Sequence, residues 1–288
     1  MSSHQSLSAS VILATYNQPS LLDLSLLGYS MQSTGDFEIV VADDGSGPET
    51  AEVIAAHARR SPVPIRHVWH PHRGFWKSAA VNRAVLHSRG AQLVFSDGDC
   101  VPARTFVEEH LAAARPNAFI VGGHVRLSEA ESERVTRDCV LSGAHEHLVG
   151  ARERAVLAWT QAKSLAYIAL RRPNRPRLLG LNFSCDRASF VSVNGFDQTY
   201  RNSSKDDSDL RNRLVLAGVR PIALWHRARV VHLFHPPNRE RRLWREASDY
   251  YRRESLCAEA PYGLRELARE LDRERLTEAR FAPVQRRR

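Results

Sequence analysis

No apolar run in this 288-residue sequence approaches the ~18 residues that a membrane-spanning helix requires. The first eight residues, Met1 to Ser8, lack the basic-then-apolar order of a secretory signal. A folded, cytoplasmic chain is therefore expected. Cysteine is scarce: Cys100, Cys139, Cys185 and Cys257 lie far apart without a C-x-x-C pair. That excludes a disulfide scaffold and leaves four thiols expected to be free. No histidine, His145 and His147 included, pairs with cysteine at zinc-ligand intervals, so a structural zinc module is excluded as well. Internal repeats and low-complexity linkers are also missing. What is present is 43% hydrophobic residues, enough to bury a substantial core in one large domain or in one domain with a C-terminal extension.

The formal net charge of +9 invites a nucleic-acid reading. Arginine is spread along the chain, however, and is densest after residue 239, in Arg239-Glu240-Arg241-Arg242, Tyr251-Arg252-Arg253-Glu254 and Gln285-Arg286-Arg287-Arg288. No aromatic-interleaved basic motif accompanies it, so nucleic acid is not the expected partner. Anionic headgroups or diphosphate substrates account for the charge equally well.

The first half alternates short apolar strands with helical patterns, the signature of an α/β layer with a largely parallel sheet. Strands are expected at 10–15, 37–42, 65–69, 92–96 and 118–125, with helices at 21–31, 48–60 and 77–88 between them. Residues 129–170 read as a polar, then helical segment crossing the sheet. Residues 180–235 form a second chemical block closing in a strand at 229–233, and 238–288 read as a basic helical extension with an unstructured end.

Two of the strands end in paired aspartates, Asp43-Asp44-Gly45-Ser46 and Asp97-Gly98-Asp99. In open α/β sheets ligands bind outside the carboxyl ends of the strands. Two carboxylates bracketing a glycine can face a divalent cation, and a strand-end aspartate can accept from a base N–H or ribose hydroxyls. Either motif alone is more often an ordinary turn or helix cap. Together they carry more weight.

The series Val11-Ile12-Leu13-Ala14-Thr15-Tyr16-Asn17, Val41-Ala42-Asp43-Asp44-Gly45-Ser46, Asn82 and Asp97-Gly98-Asp99 resembles the family 2 glycosyltransferases of the GT-A fold. The second block, Gly180-Leu181-Asn182-Phe183-Ser184, Asn194-Gly195-Phe196-Asp197 and Asp206-Asp207-Ser208-Asp209-Leu210, is similar to the C-terminal part shared with galactosyl- and N-acetylgalactosaminyltransferases. The resemblance covers roughly residues 8–236.

It implies a Rossmann-like, mostly parallel sheet flanked by helices. The GT-A domain would span 1–237, with a nucleotide-sugar half at 8–125 and an acceptor half at 180–236. It further implies transfer of a hexosyl or N-acetylhexosaminyl group from a nucleoside diphosphate sugar, first of all a UDP-sugar, to a glycan or glycolipid hydroxyl, with inversion and with Mn²⁺ or Mg²⁺ as cofactor. Ala14, Tyr16, Asp44, Lys77, Asn82, Asp97 and Gly98 would bind the donor, Tyr16 beside the base and Asp44 bonded to it. Asp99 would be the metal carboxylate and His232, ahead of His235, the metal histidine. Asp207 would be the catalytic base, and Asp206, Asp209 and Asn182 would hold the acceptor.

One departure stands out. Similar enzymes often carry Gly-Trp-Gly before a Glu-Asp pair, whereas here Arg201-Asn202-Ser203-Ser204-Lys205 precedes Asp206, leaving Trp225 or Trp159 to supply an aromatic platform from elsewhere. The alternative is a GT-A-like module that has lost activity and binds glycan or lipid. The extension, with Leu243-Trp244 and Tyr250-Tyr251 among its arginines, is expected to pack on the core, a peripheral membrane contact being the competing reading.

Overall fold

The structure, a computed structural model, describes residues 7–172, 175–201, 205–236 and 257–281. Its first half is the alternation expected: β1 (Ala9–Thr15), α1 (Pro19–Ser30), β2 (Phe37–Asp43), α2 (Pro48–Ala58), β3 (Ile65–Trp69), α3 (Lys77–Leu86) and β4 (Gln92–Asp97). Proline at the first turn starts α1 and α2, where its missing N–H costs no helix bond. β1 and β2 are buried along their whole length, and successive residues feed opposite faces of the sheet. Ile12, Ala14, Val40 and Ala42 pack with α3 on one side. Val11, Leu13, Ile39 and Val41 pack with α1 on the other.

The second half adds β5 (Cys100–Pro102), α4 (Phe106–Ala113), β6 (Ala118–Arg126), α5 (Glu129–Glu133), α6 (Arg137–Ser142), a 3₁₀ turn, α7 (Ala151–Ala169), β7 (Asn182–Asp186), α8 (Arg187–Ser192), α9 (Asp206–Leu216) and β8 (Arg220–His232). All eight strands form one sheet in the order β3-β2-β1-β4-β7-β6-β8-β5. The β3-β2-β1-β4 half is parallel, β7 runs antiparallel to both of its neighbours, and β6 and β8 are parallel to each other. Thr15 pairs with Asp43 while Ala14 pairs with Asp97, so the two aspartate motifs flank the end of β1 where the strand order reverses.

β8 is far longer than the strand expected at 229–233, because a bulge hides it. Gly122 pairs with Leu224 and Gly123 with Arg229, leaving 225–228 looped out and the alternation broken. Gly123 is required there, since a Cβ would lie 1.9 Å from the Trp225 carbonyl oxygen. The Asn182 amide staples the bulge, donating to the carbonyls of Gly123 at 2.7 Å and Ala228 at 3.0 Å.

The last helix, α10 (Leu264–Phe281), is docked onto this body: Leu264 joins the core beside α3, and its N–H donates to the Asn194 carbonyl. Leu243-Trp244 and Tyr250-Tyr251 lie outside the described residues. Cys100, Cys139, Cys185 and Cys257 are all free thiols. Among the described residues, no helix is long and apolar enough to cross a membrane.

Candidate active site

Three consecutive residues at the start of α3 join the carboxylates that the sequence places on separate elements. The Trp76 N–H donates to Asp44 Oδ2 at 2.7 Å, Lys77 Nζ meets Asp97 Oδ1 at 2.5 Å, and Ser78 Oγ donates to Asp206 Oδ2 at 3.3 Å. The ends of β2 and β4 and the first turn of α9 thus converge on one helix N-terminus, whose partial positive charge suits them. Burial would depress the Lys77 ammonium, but the charges of Asp97 and Asp207, with Asp206 behind them, overcome it and hold it protonated well above its ordinary range.

At the β2 end, Asp43 is structural. Burial would raise its carboxyl, yet hydrogen bonds from His67 at 2.8 Å and from the Ser46 N–H at 2.7 Å outweigh that and lower it. Asp44 is 4% exposed, and its Oδ1 is buried without a hydrogen bond, 3.2 Å from the equally orphaned His70 Nε2. A buried carboxylate oxygen and a buried ring nitrogen that face each other at ion-pair distance without an aligned hydrogen bond form a socket for a polar ligand edge. Tyr16 lies beside it, stacked on His72 with ring centroids 4.4 Å apart, and His72 Nδ1–H donates to the Asp44 carbonyl at 3.0 Å.

At the β4 end, the Gly98 N–H donates to the Ala14 carbonyl at 2.7 Å, which turns the chain so that Asp97 and Asp99 diverge. Asp97 goes to Lys77. Asp99 faces β8, with His232 Nε2 at 3.7 Å and His235 Nε2 at 3.2 Å. Burial would raise the Asp99 carboxyl, but the hydrogen bond from His235 and the nearness of both imidazoles keep it lowered. The ligand atoms of this trio lie within 4.8 Å of one another, and among the described residues no other group of histidine, cysteine and acidic side chains converges in this way. One carboxylate with two imidazoles fits a divalent ion such as Mn²⁺. His235 Nδ1 faces the Pro236 carbonyl at 3.0 Å, a contact that would keep a proton on Nδ1 if Nε2 gave up its hydrogen bond to Asp99 in order to ligate an ion. His235 is therefore a full member of the trio and sits closer to Asp99 than His232 does.

On α9, Asp207 is partly buried, and its Oδ2 accepts the Gly180 N–H at 2.9 Å. Gly180 allows the approach, since a Cβ would stand 2.6 Å from Asp207 Oδ1. Asp206 is buried beside it, and its carboxyl is pushed up to about 7, by burial first and then by the Asp207 charge, against the pull of Lys77. A carboxyl that binds its proton more tightly folded than unfolded adds stability below about pH 4, and loses that contribution as pH rises through about 7. Asp206→Asn is accordingly expected to match the parent near pH 4 and to be more stable by ~2–4 kcal/mol at pH 8 in urea denaturation. A parent-minus-variant difference that stays flat across this range would refute the assignment.

The structure does not bring three of the expected residues to the cleft. Asn82 is fully buried and exchanges both amide bonds with Phe196, holding the Asn194–Asp197 turn against α3. Asn182 is spent on the β8 bulge and on His110 Nε2, 3.0 Å from its Oδ1. Asp209 lies on the inner face of α9, paired with the fully buried Arg213 at 2.7 Å and accepting from the Tyr200 hydroxyl at 3.2 Å. Each is a satisfied core polar group. Ala14 contributes its carbonyl to the Gly98 turn. The aromatic platform is revised as well: Trp225 is buried in the bulge and Trp159 is on the outer face of α7, whereas Trp76 lies in the cleft with the Arg201 guanidinium 4.4 Å above its ring.

A family model described as glycosyl transferase family 2 matches residues 10–164, more than half of the chain, and one described as the N-terminal domain of galactosyltransferase matches 167–236. The chain belongs to glycosyl transferase family 2. Validoxylamine A glucosyltransferase of Streptomyces hygroscopicus subsp. jinggangensis is 28% identical over 222 residues, 73% of this chain and 52% of that protein. Hyaluronan synthase of Pasteurella multocida is 30% identical over 110 residues, 38% of this chain and 11% of the synthase. The chain spans about half the length of the validoxylamine A glucosyltransferases it matches. Among solved structures, the mannosyltransferase PcManGT from Pyrobaculum calidifontis, in complex with GDP-Man and Mn²⁺, superposes with a TM-score of 0.59 at 20% identity, over 96% of this chain and 81% of that one. S. aureus TarS with UDP-GlcNAc gives 0.52 at 15% identity, over 81% and 60%. These neighbours share the GT-A fold.

Proposed function

We propose that the chain is a divalent-metal-dependent, inverting glycosyltransferase that moves a hexosyl or N-acetylhexosaminyl group from a nucleoside diphosphate sugar, in first place a UDP-sugar, to a hydroxyl of a glycan or glycolipid. The observation that carries this reading is the junction at Trp76-Lys77-Ser78, which makes one cleft of the Asp44 socket, the Asp97 turn and the α9 carboxylates.

In this reading the orphaned Asp44 Oδ1 accepts from a base N–H beside the Tyr16–His72 stack. Asp97, held by Lys77, takes the ribose side, and the Lys77 ammonium stabilises negative charge growing on the leaving diphosphate. Asp99, His232 and His235 would hold Mn²⁺ or Mg²⁺, which when bound supplies Lewis-acid neutralisation of that diphosphate. Asp207 removes the proton of the acceptor hydroxyl as its oxygen bonds to the anomeric carbon and the carbon–oxygen bond to the diphosphate breaks. The Gly180 N–H fixes the orientation of that carboxylate. Support for the donor class comes from the neighbours, one holding GDP-Man with Mn²⁺ and one UDP-GlcNAc.

The test is release of nucleoside diphosphate from a panel of UDP- and GDP-sugars, with Mn²⁺ or with EDTA, water standing in for the acceptor. Turnover of one donor that EDTA stops is the expected result. No turnover together with no calorimetric binding of any nucleotide sugar would leave a binding module without catalysis.

A further inference from the structure

Helix α7 has an outward face that the catalytic reading does not use. Its inward side is fixed by Leu157, which packs beside Gly123, by Gln161, whose amide bonds both the Ala223 carbonyl and the Trp225 N–H, and by Ile168 against the core. These contacts run the helix antiparallel to β6 and β8, from the edge that carries His232 towards the opposite edge of the sheet. On the other side Ala155, Trp159, Ala162, Leu165 and Ala169 recur at helical spacing and are all exposed, Trp159 by 70% and Leu165 by 52%. Leu170 extends the stripe past the helix end, 66% exposed. A tryptophan and two leucines in line on an exposed helix face form a patch, unlike the scattered apolar residues of ordinary surfaces.

The charge in this segment is strongly basic. Between 151 and 175 the sequence has Arg152, Arg154, Lys163, Arg171, Arg172 and Arg175 against the single acid Glu153. Beneath the C-terminal end of α7, at the starts of β6 and β8, lies a groove of about 580 Å³. Ala118, Ile168, Pro221 and Ile222 contribute its apolar lining, Arg115, Arg171, Arg172 and Arg220 add charge, and no acidic residue lines it. An apolar stripe bordered by cations complements a surface that is itself apolar within and anionic at its rim.

We propose that the outer face of α7 and its arginine groove dock the protein onto an anionic lipid bilayer, the helix lying in the interfacial plane. Trp159, Leu165 and Leu170 enter the boundary between headgroups and acyl chains, while the long arginine and lysine side chains reach lipid phosphates. The donor cleft, at the carboxyl ends of β2 and β4, is not part of this surface, so docking leaves it open. This places the membrane contact on α7 and independent of the sugar chemistry.

Flotation with vesicles of phosphatidylcholine containing about 30% phosphatidylglycerol, against phosphatidylcholine alone, tests this at low and high salt. The parent is expected to float with the anionic vesicles only and to be released by salt, with a blue shift of tryptophan emission that Trp159→Ser removes. Trp159→Ser/Leu165→Ser and Arg172→Glu/Arg220→Glu are each expected to lower the partition coefficient about tenfold or more, since each basic side chain at such a surface contributes measurably. Metal-dependent release of nucleoside diphosphate should stay unchanged in both, because none of the four side chains lies in the cleft. Absence of parent binding would overturn the proposal. So would binding that both double variants retain, which would move the contact elsewhere in the chain. A dimer dissociated by Trp159→Ser/Leu165→Ser without any lipid binding would also overturn it, and would identify the face as a self-interface.

Discussion

Asp99→Ala is expected to abolish Mn²⁺-stimulated release of nucleoside diphosphate, lowering kcat/KM by about 10³-fold, a loss of several kcal/mol of transition-state stabilisation. Asp99 supplies the carboxylate of the Asp99–His232–His235 trio, and its removal leaves two neutral imidazoles that bind a hard divalent ion poorly. The backbone role of the residue survives the change, because the Leu233 N–H bonds its carbonyl oxygen and not its side chain. His235→Ala is expected to weaken Mn²⁺ at least as much as His232→Ala, since His235 Nε2 is the nearer nitrogen at 3.2 Å against 3.7 Å. Titration of each variant with Mn²⁺, followed by paramagnetic resonance of the free ion, separates weaker metal binding from slower chemistry. Equal Mn²⁺ affinity in the parent and Asp99→Ala would remove the metal from this trio.

The second large effect is expected at Asp207. Asp207→Asn keeps an oxygen to accept the Gly180 N–H but removes the basicity, so kcat should fall about 10²–10⁴-fold with little change in donor KM. Asp206→Asn should be much milder, because a carboxyl that stays protonated up to about pH 7 is a poor base and its chief effect is on stability. If Asp206→Asn were the inactive variant and Asp207→Asn the active one, the two roles would have to be exchanged.

Much of this site is legible in the sequence because strand ends in an α/β layer have few places to go. Once 37–42 and 92–96 are recognised as buried parallel strands, Asp44, Asp97 and Asp99 must emerge at the same edge of the sheet. Asn82, Asn182 and Asp209 show where this logic stops. Each sits inside a matching motif, but a one-residue step along a strand, or about 100° around a helix, decides whether a polar side chain faces the cleft or the core. Asn82 and Asn182 betray themselves as core residues only through partners distant in sequence, Phe196 and the β8 bulge, and Asp209 through Arg213 one turn further along the same helix, an arginine whose own burial no local pattern announces.

The residues that sequence reasoning passed over have a common character. Trp76 and Ser78 read as an unremarkable helix start, and His70 as one of a run of loop residues. Trp76 and His70 gain their roles from contacts with Asp44, and Ser78 from one with Asp206 across 128 positions of chain. His235 reads as a second choice in the sequence; it lies three residues past the end of β8, and its rank against His232 depends on how the chain turns at Leu233.

The sequence by itself determined the buried parallel strands, the edge at which their aspartates appear, and the family, because these follow from apolar periodicity and from motifs local in the chain. Only the tertiary structure decided which polar side chains meet in the cleft, which are used up inside, and that the apolar face of α7 is left outward with arginines around it. Those outcomes depend on the direction of individual side chains and on pairings between distant segments, and neither is encoded in any short stretch of residues.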